Sequence, residues 1–389
     1  MPAIQTSGTG YLDANSPLVR QGWVKEGLIQ NAARSWWAPY TGNSGESVVY
    51  QRNMTGVAEG NLMNFDYDGN LVREMTLGRE QLFGTGVEKK KFSSKLMIYD
   101  ARLSVDNGTR FKNKAIGDLS IGEHGDSLRK LADLWVRHKD QAHFDAVQGR
   151  LNGIGNSHIF RPNKRASIGA LLATDVMTYD FLLEISELLR EGEGFAKGNK
   201  RLPLKPFSMK NGEIVWHLIL DNAAFYQLKR DKRFQDLLSQ ADLRGENNML
   251  FKGAPLQIGS LVLVTAPVFF GSSTSRKLGK VSPQIAGLRK IDETGKYTGE
   301  DGFGEKGKVI AARSILVGAG ALQYGMGQAP DYNLEFSKDH KKTSESALEV
   351  YFNVQKTQLI PETDDYEVAK VGNMDYGVIA VDTYVKVVQ

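Results

Sequence analysis

The chain contains no cysteine. Disulfides, thiolate nucleophiles and cysteine-ligated zinc are excluded, so stability has to come from packing or from association with other chains. Long apolar runs are missing too. The longest, Leu261 to Phe270, is too short to cross a bilayer and carries Pro267. Met1 to Pro17 lack the charged-then-apolar build of a signal peptide. The expectation is a soluble chain made in a cytoplasm, with no membrane partner. There is no Gly-x-Ser-x-Gly elbow, no internal repeat and no low-complexity tract.

What is present is ordinary for a globular protein: 389 residues, 41% apolar and 24% charged. That length accommodates one large domain or two to three ordinary ones. The 41 glycines point to many turns and loops. A net charge of +4 is mildly basic and permits weak affinity for phosphate polymers.

Residues 1–46 read as an arm, rich in Gly, Ser, Asn and Gln. Trp23, Trp36, Trp37 and Tyr40 stand out on it. They are either anchors on another surface, in this chain or a neighbour, or local packing under a loop. Residues 47–54 alternate as a strand, and 94–104 alternate as a second. Between them lie Glu59, Arg73, Glu74, Arg79 and the run Lys89, Lys90, Lys91. Two strands around a long charged excursion predict an extended hairpin with too little apolar surface for a core of its own.

The strongest helix signal is 126–148, capped by Asp126 or Ser127 and ended by Gly149. Leu128, Leu131, Ala132, Trp135, Ala142 and Ala146 share a stripe, with Asp133, Arg137 and Asp140 opposite. Further helices are predicted over 174–190 and 223–241, and strands over 214–220, 256–265, 309–317, 346–360 and 376–388. Residues 271–308 read as a long loop with eight Gly, eight Lys or Arg and five Asp or Glu.

That loop holds GFGEKGKV, Gly302 to Val309, which fits both Gly-x-Gly-x-x-Gly and Gly-x4-Gly-Lys. A phosphate loop must leave a strand and enter a helix whose free N–H groups hold the phosphate. Here no strand precedes the glycines, Val309 replaces the Mg²⁺-binding hydroxyl, and the run after it is strand-like. No acidic residue about 20 positions on is placed to hold a ribose. The helix offers Asp133, His138, Asp140, His143 and Asp145, but its two histidines are about 140° apart around the axis and cannot converge on one metal. His138 and Asp145 share a face, as a buried ion pair or a solvated surface. Lys89 to Lys91 could touch nucleic acid, although a solvated tip or a contact with a neighbour's acidic patch is the simpler reading. No catalytic, cofactor or metal residue is predicted.

Three segments carry a resemblance. Asp242 to Gly253 (DLRGENNMLFKG), with Gly259 and the strand Val262 to Thr265 after it, is similar to the Asn-x-Leu-Phe-x-Gly segment of tailed-bacteriophage major capsid proteins. Ala312 to Gly325 (ARSILVGAGALQYG) resembles their Ala-x-x-Leu-x-Gly-Ala-x-Ala strand and turn. Asn373 to Thr383 (NMDYGVIAVDT) resembles their closing strand. Within that family the chain looks nearest to the capsid proteins of the virion-polymerase podovirus of Escherichia.

The resemblance implies a mixed α/β (α+β) chain of the Hong Kong-type phage capsid fold. The arm would be 1–46, the extended loop and its base 47–104, and a peripheral domain 105–170 with spine helix 126–148. An axial domain would occupy 171–335, with loop 271–308 inserted, and peripheral return strands would fill 336–389. It implies no enzyme. Copies of the chain would form hexamers and pentamers in an icosahedral virion shell around double-stranded DNA, met non-specifically at the inner face. Decoration, portal and scaffold proteins are the other implied partners. Trp23, Trp36, Trp37, Glu59, Arg73, Glu74, Arg79 and Lys89 to Lys91 would then contact neighbouring subunits. Two alternatives stay open: a nucleotide-binding enzyme using Gly302 to Lys308, and an encapsulating nanocompartment shell.

Overall fold

The computed structural model describes residues 35–53, 62–68, 91–109, 120–151, 155–191, 205–208, 214–242, 256–271, 283–298, 309–336, 343–361 and 374–385. Two sheets dominate. The first has the order β1 (Thr41–Gly42), β2 (Val49–Asn53), β15 (Leu322–Phe336), β16 (Thr343–Lys356), β5 (Tyr99–Thr109). Its backbone is the long antiparallel pair β15 and β16, with β2 added in parallel on one side and β5 in antiparallel on the other.

Helix α1 (Ser120–Val147) lies on one face of this sheet. The period-2 pattern of the strands decides which side chains meet it: Tyr332 and Leu334, Leu348 and Val350, and Ala101, Leu103 and Val105 turn inward. They pack on Leu128, Leu131 and Trp135, and the Trp135 ring stands edge-on to Phe352 at 4.5 Å between centroids. Leu128, Leu131, Ala132, Trp135 and Ala146 of the predicted stripe are buried, Ala142 is half buried, and Asp140, expected opposite, is buried too. The helix begins six residues earlier than 126, and it ends as predicted. Gly149 adopts φ 77°, its N–H donates to Ala146 O, and Arg150 N–H donates to Asp145 O. That is a Schellman stop, which needs a residue free of the left-handed penalty.

The second sheet has eight strands. Its main order is β6 (Ile159–Phe160), β19 (Val378–Tyr384), β14 (Val309–Val317), β8 (Ile214–Leu220), β10 (Leu261–Thr265), β9 (Leu256–Ile258). Strand β13 (Lys290–Asp292) also pairs with β14, and β7 (Phe207–Ser208) with β8. Ala311 to Val317 are all buried, Arg313 and Ser314 included, as in a strand covered on both faces. One face is covered by α2 (Tyr179–Glu191), α3 (Asn222–Arg230) and α4 (Lys232–Asp242) through Phe181, Leu182, Ile185, Leu228 and Phe234. The helix predicted over 223–241 is two helices. Asp231 breaks it, extended at ψ 123°, with its carboxylate accepting from Tyr179 N and Arg233 N.

The hairpin is real at its root. Strands β3 (Leu62–Asp68) and β4 (Lys91–Met97) pair from Leu62 opposite Met97 to Asp68 opposite Lys91. The strand predicted over 94–104 is two strands, because the chain turns at Ile98 from the hairpin into β5. The root also has a seat on its own chain, contrary to the expectation from apolar content. Met63, Phe65, Leu96 and Ile98 are buried against Tyr50 and Tyr351, above Gly325 and Gly327 of β15. Strand β17 (Gln358–Pro361) extends the small sheet beyond β4, with β18 (Met374–Asp375) beyond it.

Residues 271–308 are not one loop. Strand β11 (Phe270–Gly271) pairs with β12 (Pro283–Ile285), and 283–298 is ordered against α1 and β14. Nor do the expected domain limits coincide with sheet membership. Leu322–Phe336 belongs to the first sheet and Val378–Tyr384 to the second. The chain crosses between them through Gly318 to Ala321, where Gly320 has φ 68°. No helix among the described residues is long and apolar enough to cross a membrane.

Candidate functional site

Gly302 to Lys308 lie outside the described residues, but the element directly after them is decisive. Val309 opens strand β14, buried from Ala311 onward, where a phosphate loop requires a helix N-terminus. Among the described residues no group of three or more His, Asp or Glu is placed to share a metal ion. Asp145 is buried and faces arginines rather than His138 in its ion pairs.

Those arginines belong to a charged network where α1 meets the second sheet. Arg289 holds Asp145 with both arms of its guanidinium, Nε to Oδ1 at 2.6 Å and Nη2 to Oδ2 at 3.1 Å. Arg150 adds a contact to Oδ2 at 3.0 Å. Arg313 holds Asp382 in the same way at 2.6 and 2.9 Å, and donates to the Tyr297 hydroxyl at 2.8 Å. Burial would pull the Arg313 guanidinium down, yet the Asp382 carboxylate and Tyr297 keep it above the ordinary arginine value. Burial pushes the Tyr297 phenol up. Lys356 donates to Asp375, Asn156 and Gly155, while burial draws its ammonium below the ordinary lysine value.

Two glutamines complete the joint. The Gln141 carboxamide exchanges hydrogen bonds with Gly287 N and O, and that of Gln148 does so with Arg289 N and O. Each side chain acts as a peptide group and docks 287–289 on the helix as if it were an edge strand. Gly287 is required there: a Cβ would lie 2.1 Å from Pro267 O. Each of the three acids is held by at least one cation, and Asp382 by Arg161 as well, so none of the three carboxylates stands as a free base. The cluster's chemistry is to fix α1 to the second sheet.

Trp36 and Trp37 pack within their own chain. Trp37 is wholly buried, its ring 5.1 Å from Phe144 and 5.6 Å from His143. Trp36 packs on Phe144 and stacks on Tyr40. The segment is pinned by Asp140, which accepts from Ser35 Oγ at 2.5 Å and Trp36 N at 2.7 Å. Expecting these tryptophans on another subunit overlooked a slot beside α1 that the helix's polar face creates. Burial pushes the Asp140 carboxyl up against those hydrogen bonds, and burial pushes the His143 imidazole down to about 3. Trp23, Glu59, Arg73, Glu74, Arg79, Lys89 and Lys90 lie outside the described residues, and Lys91 opens β4.

The outward surface is polar. On the side of the first sheet away from α1 stand Asp100 and Arg102, Asp331 and Glu335, and Glu345 and Glu349. Asp331 is directly opposite Glu349, and Glu335 opposite Glu345. Like charges facing across a strand pair repel. Arg102 lies 3.0 Å from both Asp100 and Glu349, and Arg52 stands on the same face over the Phe65 ring. At the hairpin root Leu62, Met97 and Tyr99 are half exposed on the side away from the root's core.

Sequence reasoning missed Ser35, Gln141, Gln148 and Arg289. The two glutamines were detectable in principle, since they stand seven residues apart beside the apolar stripe. Nothing local marks Ser35 or Arg289.

No family model matches the chain, and no curated protein matches its sequence. Solved structures do. The capsid of Ralstonia phage GP4 superposes with a TM-score of 0.63 at 19% identity, covering 91% of this chain and 92% of that one. The acid-stable capsid of Helicobacter pylori bacteriophage KHP30 gives 0.61 at 16% identity, over 90% and 91%. The cyanophage Pam1 capsid gives 0.60 at 13% identity, over 91% and 93%. The chain therefore has the phage capsid fold of Hong Kong type.

Proposed function

We propose that the chain is a major capsid protein, a non-enzymatic subunit that assembles as hexamers and pentamers into an icosahedral phage head around double-stranded DNA. The observation that carries this reading is the extent of the likeness: three phage capsids match over nine-tenths of both chains.

On this reading the first sheet with α1 is the peripheral domain, and the second sheet with α2 to α4 is the axial domain. Residues 322–336 go to the former and 378–384 to the latter. Segment 69–90 beyond the hairpin root lies on a neighbouring subunit, where Arg73, Arg79 and Lys89 to Lys91 meet the acidic outer face of that subunit's first sheet. Opposed acids on one copy and a lysine run on the next supply the complementarity that selects register. Many such contacts, each weak, become stable when symmetry repeats them. Kinship with the virion-polymerase podovirus group rests on the three sequence segments at 242–265, 312–325 and 373–383. The chain's place is the virion, with portal, scaffold and decoration proteins as further partners.

Electron microscopy of the purified protein at high concentration tests the reading. Closed shells of tens of nanometres are expected. A monodisperse monomer at every concentration and salt condition would overturn it.

A further inference from the structure

The bend between α3 and α4 carries Lys229, Arg230, Lys232 and Arg233, all exposed, within five consecutive positions. Helix physics accounts for the first two. Lys229 and Arg230 close α3, where the free carbonyls favour cations. The same physics disfavours the other two. Lys232 and Arg233 open α4, whose free N–H groups already make that end positive, and no acidic residue stands in its first turn. One acid does stand at that end: Asp231 caps α4, its Oδ1 accepting from Arg233 N at 3.3 Å.

The local acids offset this patch only in part, Asp180, Asp231 and Asp236 standing against its four cations. Asp231 is occupied as an acceptor for Tyr179 N at 2.8 Å and Arg233 N at 3.3 Å. Asp180 pairs with Arg233. Lys229, Arg230 and Lys232 have no carboxylate partner among the described residues. Aromatic rings hold the patch in shape. The Lys229 ammonium lies 4.5 Å from the Phe225 ring centroid and 5.9 Å from that of Tyr226, and the Arg233 guanidinium 5.8 Å from Tyr179. Tyr226 itself is 54% exposed.

We propose that this elbow binds the phosphate backbone of double-stranded DNA. Three exposed cations with no carboxylate partner among the described residues, gathered at one helical bend, suit a polyanion. Lysine and arginine charges meet phosphates whatever the bases are, so the contact is independent of sequence. The DNA contact stands on the elbow's own geometry, and its placement on the inner face of a shell rests on the capsid reading above.

Full-length, unassembled subunits titrated into fluorescent duplex DNA over a salt series provide the test. The triple variant Lys229→Gln, Arg230→Gln, Lys232→Gln should flatten the slope of log affinity against log salt by about 2.7, the loss of three phosphate contacts. Exchanging Lys229 and Lys232 for Arg should keep the slope. Removing Arg129 and Lys130, which are exposed on α1, should leave it unchanged. Equal slopes for wild type and triple variant would overturn the proposal, as would an equal effect from Arg129 and Lys130, or binding to polyglutamate with none to DNA. Shell formation is scored separately. Shells without elbow-dependent DNA binding sink this inference alone, and elbow-dependent binding without shells sinks the capsid reading alone.

Discussion

At the scale of single residues, His143 shows how the interior sets behaviour. Its Nδ1 donates to Lys139 O at 2.7 Å, its Nε2 is buried without a partner, and Trp37 and Tyr324 flank the ring. The charged groups beside it are Lys139 and Asp140, both on α1. Burial holds the folded imidazole near about 3, whereas the unfolded chain takes up a proton near about 6.5. The stabilising contribution is therefore complete above that upper value and is lost as pH falls through the window, at roughly 1.4 kcal/mol per pH unit. Asp140 has the opposite sign, because burial raises its carboxyl and favours the folded form as pH falls. Urea midpoints from neutral to mildly acidic pH should drop steeply in wild type and less steeply in His143→Phe. Parallel curves would refute the assignment. Nothing local in the sequence distinguishes His143 from His138, which is only half buried one helical turn and a little earlier.

At the scale of elements, the hairpin root depends on glycine. A Cβ on Gly325 would lie 2.7 Å from Met63 Sδ and 2.8 Å from Leu96 Cδ2. Gly325→Val should lift β3 and β4 off β15 and cost about 1–3 kcal/mol, as overpacking does. Faster proteolysis within 69–90, together with a lowered melting temperature, is the expected readout; unchanged cleavage would mean the root is not seated there. Elements with strong periodicity were legible. The stripe on α1, the buried run of β14 and the strand 214–220 all stand where the pattern puts them. Elements defined by remote partners were not. Segment 283–298 reads as loop because its order comes from two glutamines and an aspartate on α1. The charge of the insertion also sits elsewhere than at its glycine-rich tip. Residues 299–308 hold two lysines against three acids, while Arg276, Lys277 and Lys280 stand without an acid in 272–282.

At the scale of the whole molecule, the two sheets are joined by α1, by the 283–298 segment and by the crossing at Gly318 to Ala321. These joints tie the two sheets into one body. Replacing 69–90 by a two-residue turn, with β3 and β4 kept, should leave monomer folding intact by circular dichroism. Shells of this variant should fail to close or should disassemble at lower temperature. Shells as heat-resistant as wild type would show that the excursion is not an inter-subunit contact. Keeping the root is essential to the test, because deleting 55–92 would also remove Met63 and Phe65 from the chain's own core.

The sequence alone determined what could not be present and where the regular elements run. The missing cysteines ruled out covalent staples, periodicity located the spine helix and the buried strands, and three short segments pointed to the capsid fold. Those are local or compositional properties, readable because side-chain alternation tracks backbone geometry. The tertiary structure decided which charges are cancelled and which are free. It buried Trp37 in its own chain, paired Arg289 with a carboxylate 144 positions away, and gathered four exposed cations at the α3–α4 elbow. Pairing over such distances depends on how the sheets are stacked, and one-dimensional order carries no record of that.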